Sequence, residues 1–320
     1  MGTNYSLFEE PSSPVRETLA PRLREYAAQG IRIGGSSWKY EGWLGQIYSE
    51  SRYLTRGKFS KRLFEDNCIA EYAETFPTVS GDFSFYQFPS EEFWKKLFGK
   101  VPETFQFGFK VPEQITCRVF PSHARYGATA GEENPAFLDA GLLMDGFLRP
   151  LEPYRAKTGV LMFEFGSFSQ RAMSGPAEFA ERIDAFLEVL PKEFRYAVEI
   201  RNPEFLTAEY LACLTRHGVA HVYNAWTRMP DLPVQIGIPN SRTADFLVCR
   251  ALLKRGRPYE EAVKKFTPYA SVQEVYEPAR KGLRELLRIA REERKVMFIF
   301  VNNRLEGNSP GTIVSITEDG

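Results

Sequence analysis

Glu199 and Arg201 stand two residues apart at the end of an apolar run that begins Tyr196-Ala197-Val198. A spacing of two puts both side chains on one face of a strand. Charges at the end of such a strand are costly to bury unless paired. The plain reading is a structural ion pair closing the mouth of a barrel. The functional reading is a carboxylate acid/base beside an anion clamp. Lys110 ends the run Phe105-Gln106-Phe107-Gly108-Phe109, and Arg250 ends the run that starts at Phe246. Lys110 reaches out to solvent, binds an oxyanion, or acts as an acid or base. Together with Arg201 and Arg250 it suits a phosphate or a carboxylate. We therefore expect Glu199 and Lys110 as catalytic groups. Arg201, Asp82, Arg250, Asn302, Tyr86 and Trp38 are the expected ligand-binding residues.

Other chemistries find less support. The three histidines are His123, His217 and His221. His217 falls near a helix end and His221 near a strand start, on the side away from the expected site, so no multi-zinc centre can be assembled. No metal site and no organic cofactor are expected, although a single Mg²⁺ on Asp82, Glu164 or Glu199 stays open. The segment Gly34-Gly35-Ser36-Ser37-Trp38 does not fit a nucleophile elbow, and Gly159 to Gly166 fits neither phosphate-loop spacing. The Gly34-Gly35 pair reads as close packing at a barrel wall, with an anion-binding turn as the alternative.

The elements that must position these residues can be placed by pattern. Eight short apolar runs read as strands: Ile31–Ser36, Thr78–Phe83, Phe105–Lys110, Val160–Phe165, Tyr196–Ile200, Ala220–Tyr223, Phe246–Arg250 and Val296–Phe300. Helical stripes alternate with them. Phe64, Cys68 and Tyr72 form one, and Phe179, Ile183 and Phe186 another that starts at Gly175-Pro176. Asn134-Pro135 starts a third helix. Thr207 and Gly218 bracket a fourth, and Leu283, Leu286, Leu287 and Ala290 line a fifth. Apolar strands alternating with helices mean a parallel sheet covered by helices. Eight of them favour an α/β fold of the TIM (β/α)₈ barrel type, with an active site at the C-terminal strand ends. Residues 1–30 read as an N-terminal extension, a loosely helical arm, and 31–320 as one barrel domain. Three long connections, Val111–Glu133, Asn224–Thr243 and Ala251–Val272, read as lids or insertions.

Charge narrows the partner. The 320 residues carry 41 Lys+Arg and 41 Asp+Glu, a net charge of zero, which argues against a nucleic-acid-packaging or membrane-surface protein. A hydrophobic fraction of 43% excludes a disordered chain. Arg280, Arg284, Arg288 and Arg291 form a stripe on one helix face, but interleaved glutamates explain most of it as surface pairing. No signal peptide, membrane span or membrane partner is expected, and Gly2 with Ser6 is a weak myristoylation match. Four scattered cysteines read as reduced thiols of a cytoplasmic protein.

The order of the motifs resembles domain of unknown function 72, the YecE-like family. Ile33-Gly34-Gly35-Ser36-Ser37-Trp38-Lys39-Tyr40 is similar to its opening, followed by Trp43-Leu44-Gly45 and Tyr48. Phe85-Tyr86 and Pro89, Phe105, Phe107, Lys110 and Ile115-Thr116, Val198-Glu199-Ile200-Arg201, and Phe300-Val301-Asn302-Asn303 match later motifs. The likeness spans about residues 31–310. Ser80 stands where the family has Glu, Asp82 where it has Asn, and Cys117 and Asn202 where it has His, so the chain looks like a divergent branch. The resemblance implies a barrel like those of the endonuclease-IV and xylose-isomerase groups, and no established reaction. The expected function is an enzyme or binder of a small anionic molecule at the barrel mouth. The alternatives are a nucleic-acid-binding or repair-nuclease-like barrel, by fold analogy alone, and a ligand-binding barrel without chemistry.

Overall fold

The protein is described by a computed structural model covering residues 13–318. All eight apolar runs become strands, with ends displaced by no more than two residues: Ile31–Gly35 (β1), Thr78–Gly81 (β2), Gln106–Lys110 (β3), Thr158–Phe165 (β4), Tyr196–Ile200 (β5), Ala220–Ala225 (β6), Phe246–Ala251 (β7) and Val296–Val301 (β8). They are parallel and close into a barrel in the order β1-β8-β7-β6-β5-β4-β3-β2.

The period of two sorts the side chains. Val160 and Met162, Ala197, Ala220 and Val222, Phe246 and Val248, and Phe298 and Phe300 form a buried cluster inside the barrel. The next inward position on several strands is polar: Glu164, Glu199, Asn224 and Arg250. The barrel is thus plugged by apolar side chains below a charged top layer. Gly108 makes room for this plug, since a Cβ there would lie 2.4 Å from the Phe300 ring. Gly34 is packed as expected. A Cβ on it would fall 1.9 Å from the carbonyl of Thr78, so the β1–β2 approach excludes any side chain.

Helices cover the outer face of the barrel with their apolar stripes. Pro14–Ala28 (α1) buries Leu19, Leu23 and Tyr26 in the same core as the barrel wall. Of the expected extension, residues 1–12 lie outside the described residues. Lys61–Thr75 (α2) buries Phe64, Cys68 and Tyr72, and Glu91–Phe98 (α3) buries Trp94, Leu97 and Phe98. Pro176–Glu188 (α4) starts at Gly175-Pro176 as expected. Ala208–His217 (α5) is capped by Thr207, whose side chain accepts from the Tyr210 amide, and ends at Gly218 with φ +64°. Leu232–Ile236 (α6), Glu277–Glu292 (α7) and Ser309–Thr317 (α8) complete the layer.

Two expectations are corrected, and one element was not foreseen. Asn134-Pro135 does not start a helix. The Asn134 side chain donates to the carbonyls of Gln114 and Cys117 and accepts from the Ala136 amide, pinning the long loop instead. The helix begins at Ala140, capped by Asp139. The second strand stops at Gly81, because Asp82 takes helical backbone angles and leads into a short helix, Phe83–Tyr86. A ribbon of Leu54–Thr55 with Lys58–Phe59 is too short for a periodicity to reveal. Its turn, Arg56-Gly57, has positive φ at both residues.

All four cysteines are free thiols. Among the described residues no helix is long and apolar enough to cross a membrane.

Candidate functional site

The top inward position of several strands carries a charge. Lys110 ends β3, Glu164 lies near the end of β4, Glu199 near the end of β5, and Arg250 near the end of β7. Arg201 and Asp82 follow β5 and β2 directly. Glu164 Oε2 lies 3.2 Å from Lys110 Nζ, 3.1 Å from Arg201 Nη2 and 2.5 Å from Arg250 Nη1. Glu199 Oε1 is 2.6 Å from Arg201 Nη2, and its Oε2 is 2.5 Å from Arg250 Nη1. Asp82 Oδ1 lies 3.5 Å from Arg250 Nη2. Three cations therefore meet three carboxylates in one network.

Exposure divides this network. Glu199 has no exposed surface, and Arg250, Lys110 and Arg201 are buried. Glu164 and Asp82 are the half-buried members, with side chains 15% and 36% exposed. Burial alone would push the Glu164 carboxyl up, but Lys110, Arg201 and Arg250 more than reverse this and hold it well below the usual carboxylate range. Burial would likewise lower Arg250, and Glu199, Glu164 and Asp82 together raise it. Two aromatic faces hold the cations from the other side. Lys110 Nζ sits 3.6 Å from the centre of the Phe85 ring, and the Arg201 guanidinium 3.9 Å from that of Trp226.

Two clefts flank the network. One of about 580 Å³ is lined by Glu164, Cys117, Arg118, Arg125 and Arg171, among others. Arg118 and Arg125 face Glu133 and Glu113, at 3.6 and 2.8 Å. The other, about 360 Å³, is lined by Trp38, Ser80 and Asp82 with Lys39, Lys96 and Lys100.

Of the residues expected from sequence, Lys110, Glu199, Arg201, Arg250 and Asp82 are thus brought together. Trp38 and Asp82 both line the smaller cleft. Asn302 is turned to β1, where it donates to Ser36 Oγ at 2.5 Å and accepts from the Arg304 amide. Tyr86 is 58% exposed and packs under Arg125, outside the network. Glu164 is central and was not among the expected binding residues. Its signal was available, for it is the one charge in the run Val160–Phe165. The Arg250 guanidinium contacts Asp82, Glu164 and Glu199, the three carboxylates on which a single Mg²⁺ was left open.

The divergent positions take separate places. Ser80 Oγ is buried without a hydrogen-bond partner. The Cys117 thiol donates to the Val119 carbonyl, and burial pushes it up to about 11. Asn202 accepts from the Phe168 amide and so fixes the loop after β4. The arginines of the α7 stripe are each engaged within the chain. Arg280 bonds Glu306, Arg284 donates to the Ser315 carbonyl, Arg288 pairs with Glu292, and Arg291 lies over Tyr26.

Fold and site define a closed parallel (β/α)₈ barrel with a charge-balanced polar mouth. The chain belongs to the family described as protein of unknown function DUF72, whose model matches residues 32–319. It is 27% identical over 137 residues to the UPF0759 protein YecE of Escherichia coli strain K12. That match spans 43% of this chain and 42% of the relative. A DUF72 family protein of Thermotoga maritima MSB8 superposes with a TM-score of 0.59 at 19% identity, covering 91% of this chain and 99% of that one. One from Enterococcus faecalis V583 gives 0.56 at 17%, covering 90% and 95%. At these identities the structures support the shared barrel fold.

Proposed function

We propose that the barrel mouth binds a small anionic molecule bearing a carboxylate or phosphate. The observation that carries this reading is the convergence of Lys110, Arg201 and Arg250 on one oxygen of Glu164. Three cationic donors aimed at one point make a site for an anionic oxygen. Glu164 fills it from a partly exposed position and is the group a ligand would displace. With Glu164 turned out, three cations would face Glu199 and Asp82, a balance of +1 that suits an anion. Arg171 is exposed at the rim of the same cleft and supplies a further charge on the entry path.

Under this reading Glu199, expected as a catalytic group, has another part. Glu199 is sealed beneath two guanidinium groups and serves as their anchor. Glu164, held strongly acidic, is a weak base. The mouth as built favours binding over proton transfer.

The test is calorimetric titration with a panel of small carboxylates and phosphates. Glu164→Gln is expected to bind the best ligand several-fold more tightly than the unmodified chain. Lys110→Met is expected to bind it about tenfold more weakly, the loss of one charge-assisted hydrogen bond. Equal affinity in all three proteins, or no binding by any panel member, would remove the reading.

A further inference from the structure

A second group of ligating side chains lies on the outer wall, between α4 and α5. Cys213 and His217 are four residues apart on α5 and share a face. Asp184 and Glu188 have the same spacing on α4. Cys213 Sγ lies 3.6 Å and His217 Nε2 2.7 Å from the same oxygen, Asp184 Oδ1. The ligand atoms of all three residues fall within 4.8 Å of one another.

We infer that Asp184, Cys213 and His217 form a binding site for a thiophilic divalent cation of the zinc class. The donor set is a thiolate, an imidazole and a carboxylate, which such an ion prefers. Tetrahedral bonds of ordinary length to sulfur and oxygen place those two atoms about 3.5 Å apart, close to the 3.6 Å between Cys213 and Asp184. The Nε2–Oδ1 contact is a hydrogen bond, and the metal replaces its proton while the two atoms part slightly. The imidazole then carries its proton on Nδ1, which lies 3.6 Å from Glu188 Oε2. Glu188, whose side chain is exposed, has only to close that short gap to orient the ring as an outer partner. The residues sit near the C-terminal ends of both helices, where the backbone dipoles favour a cation. Arg216 holds both Asp184 oxygens at 2.7 Å, but its side chain is 62% exposed, and Oδ2 keeps it when Oδ1 turns to the metal. Binding releases the Cys213 thiol proton to solvent and leaves a fourth position for water.

The test is titration of the full chain, purified without metal, with Co²⁺ and then Zn²⁺ as competitor. A thiolate-to-cobalt charge-transfer band and the intense visible bands of tetrahedral cobalt are expected at one equivalent, and Zn²⁺ abolishes them. Cys213→Ser and Asp184→Asn should lose the charge-transfer band or the tetrahedral bands respectively, whereas Cys117→Ser keeps both. Glu188→Gln should weaken uptake roughly tenfold. Circular dichroism of each variant confirms folding. If one is unfolded, the rise in melting temperature of the unmodified chain on adding Zn²⁺ decides. A six-coordinate cobalt spectrum, a band that survives Cys213→Ser, or no stabilisation by Zn²⁺ would overturn the site.

Discussion

Glu164 of β4 and Glu199 of β5 are register partners on neighbouring strands, and one nitrogen of Arg250 contacts both, at 2.5 Å each. Two like charges side by side repel. They are tolerated because β7 supplies the guanidinium between them, with Arg201 alongside. The three strands are thus locked at their tops by charge, above the apolar plug.

Arg250→Met should therefore destabilise the fold by about 3–5 kcal/mol, the usual cost of stranding a buried partner. Adding Glu164→Gln should recover part of that loss, because one of the stranded charges is removed. Denaturant unfolding of the two variants measures both numbers.

Glu164 also predicts an acid limb. Its folded pKa lies below the unfolded value, so its stabilisation is complete above the unfolded carboxylate pKa of about 4 and is lost as pH falls through the folded value. Glu164→Gln should flatten the stability curve in that range. An unchanged curve would show that other carboxylates carry the limb.

His221 adds a separate pH dependence. It is buried on the outer side of β6, 3.2 Å from the Tyr210 hydroxyl, and burial lowers its pKa to about 4. The unfolded chain takes up this proton below about pH 6.5. Stability should therefore fall between about pH 6.5 and 4, by roughly 3 kcal/mol in all. Proton NMR should show the His221 ring neutral throughout pH 5–8.

Gly108 is the test of the plug. Its Cβ would meet the Phe300 ring, itself fully buried. Gly108→Ala should cost about 1–3 kcal/mol by overpacking. A joint Phe300→Leu change should restore part of it, which thermal unfolding would register.

The fold was legible because strand and helix periods are local properties of the chain. Eight apolar runs alternating with amphipathic stripes leave few ways to bury both faces, and a closed barrel is one. Lys110, Glu199, Arg201 and Arg250 were legible for the same reason: a charge closing an apolar strand marks the barrel end. What local pattern could not supply was the pairing between strands. That Glu164 meets Glu199 across β4 and β5, with Arg250 reaching both from β7, depends on register and closure. The sequence also could not tell Glu199, sealed beneath two guanidiniums, from Glu164, open to a cleft, since burial depends on what the loops cover. Tyr86 left the mouth because Asp82 turned the backbone one residue after β2. The pairing of Asp184 with Cys213 and His217 likewise exists only where α4 lies against α5. Local periodicity determined the scaffold and its charged end, and tertiary closure decided which charges meet and which face solvent.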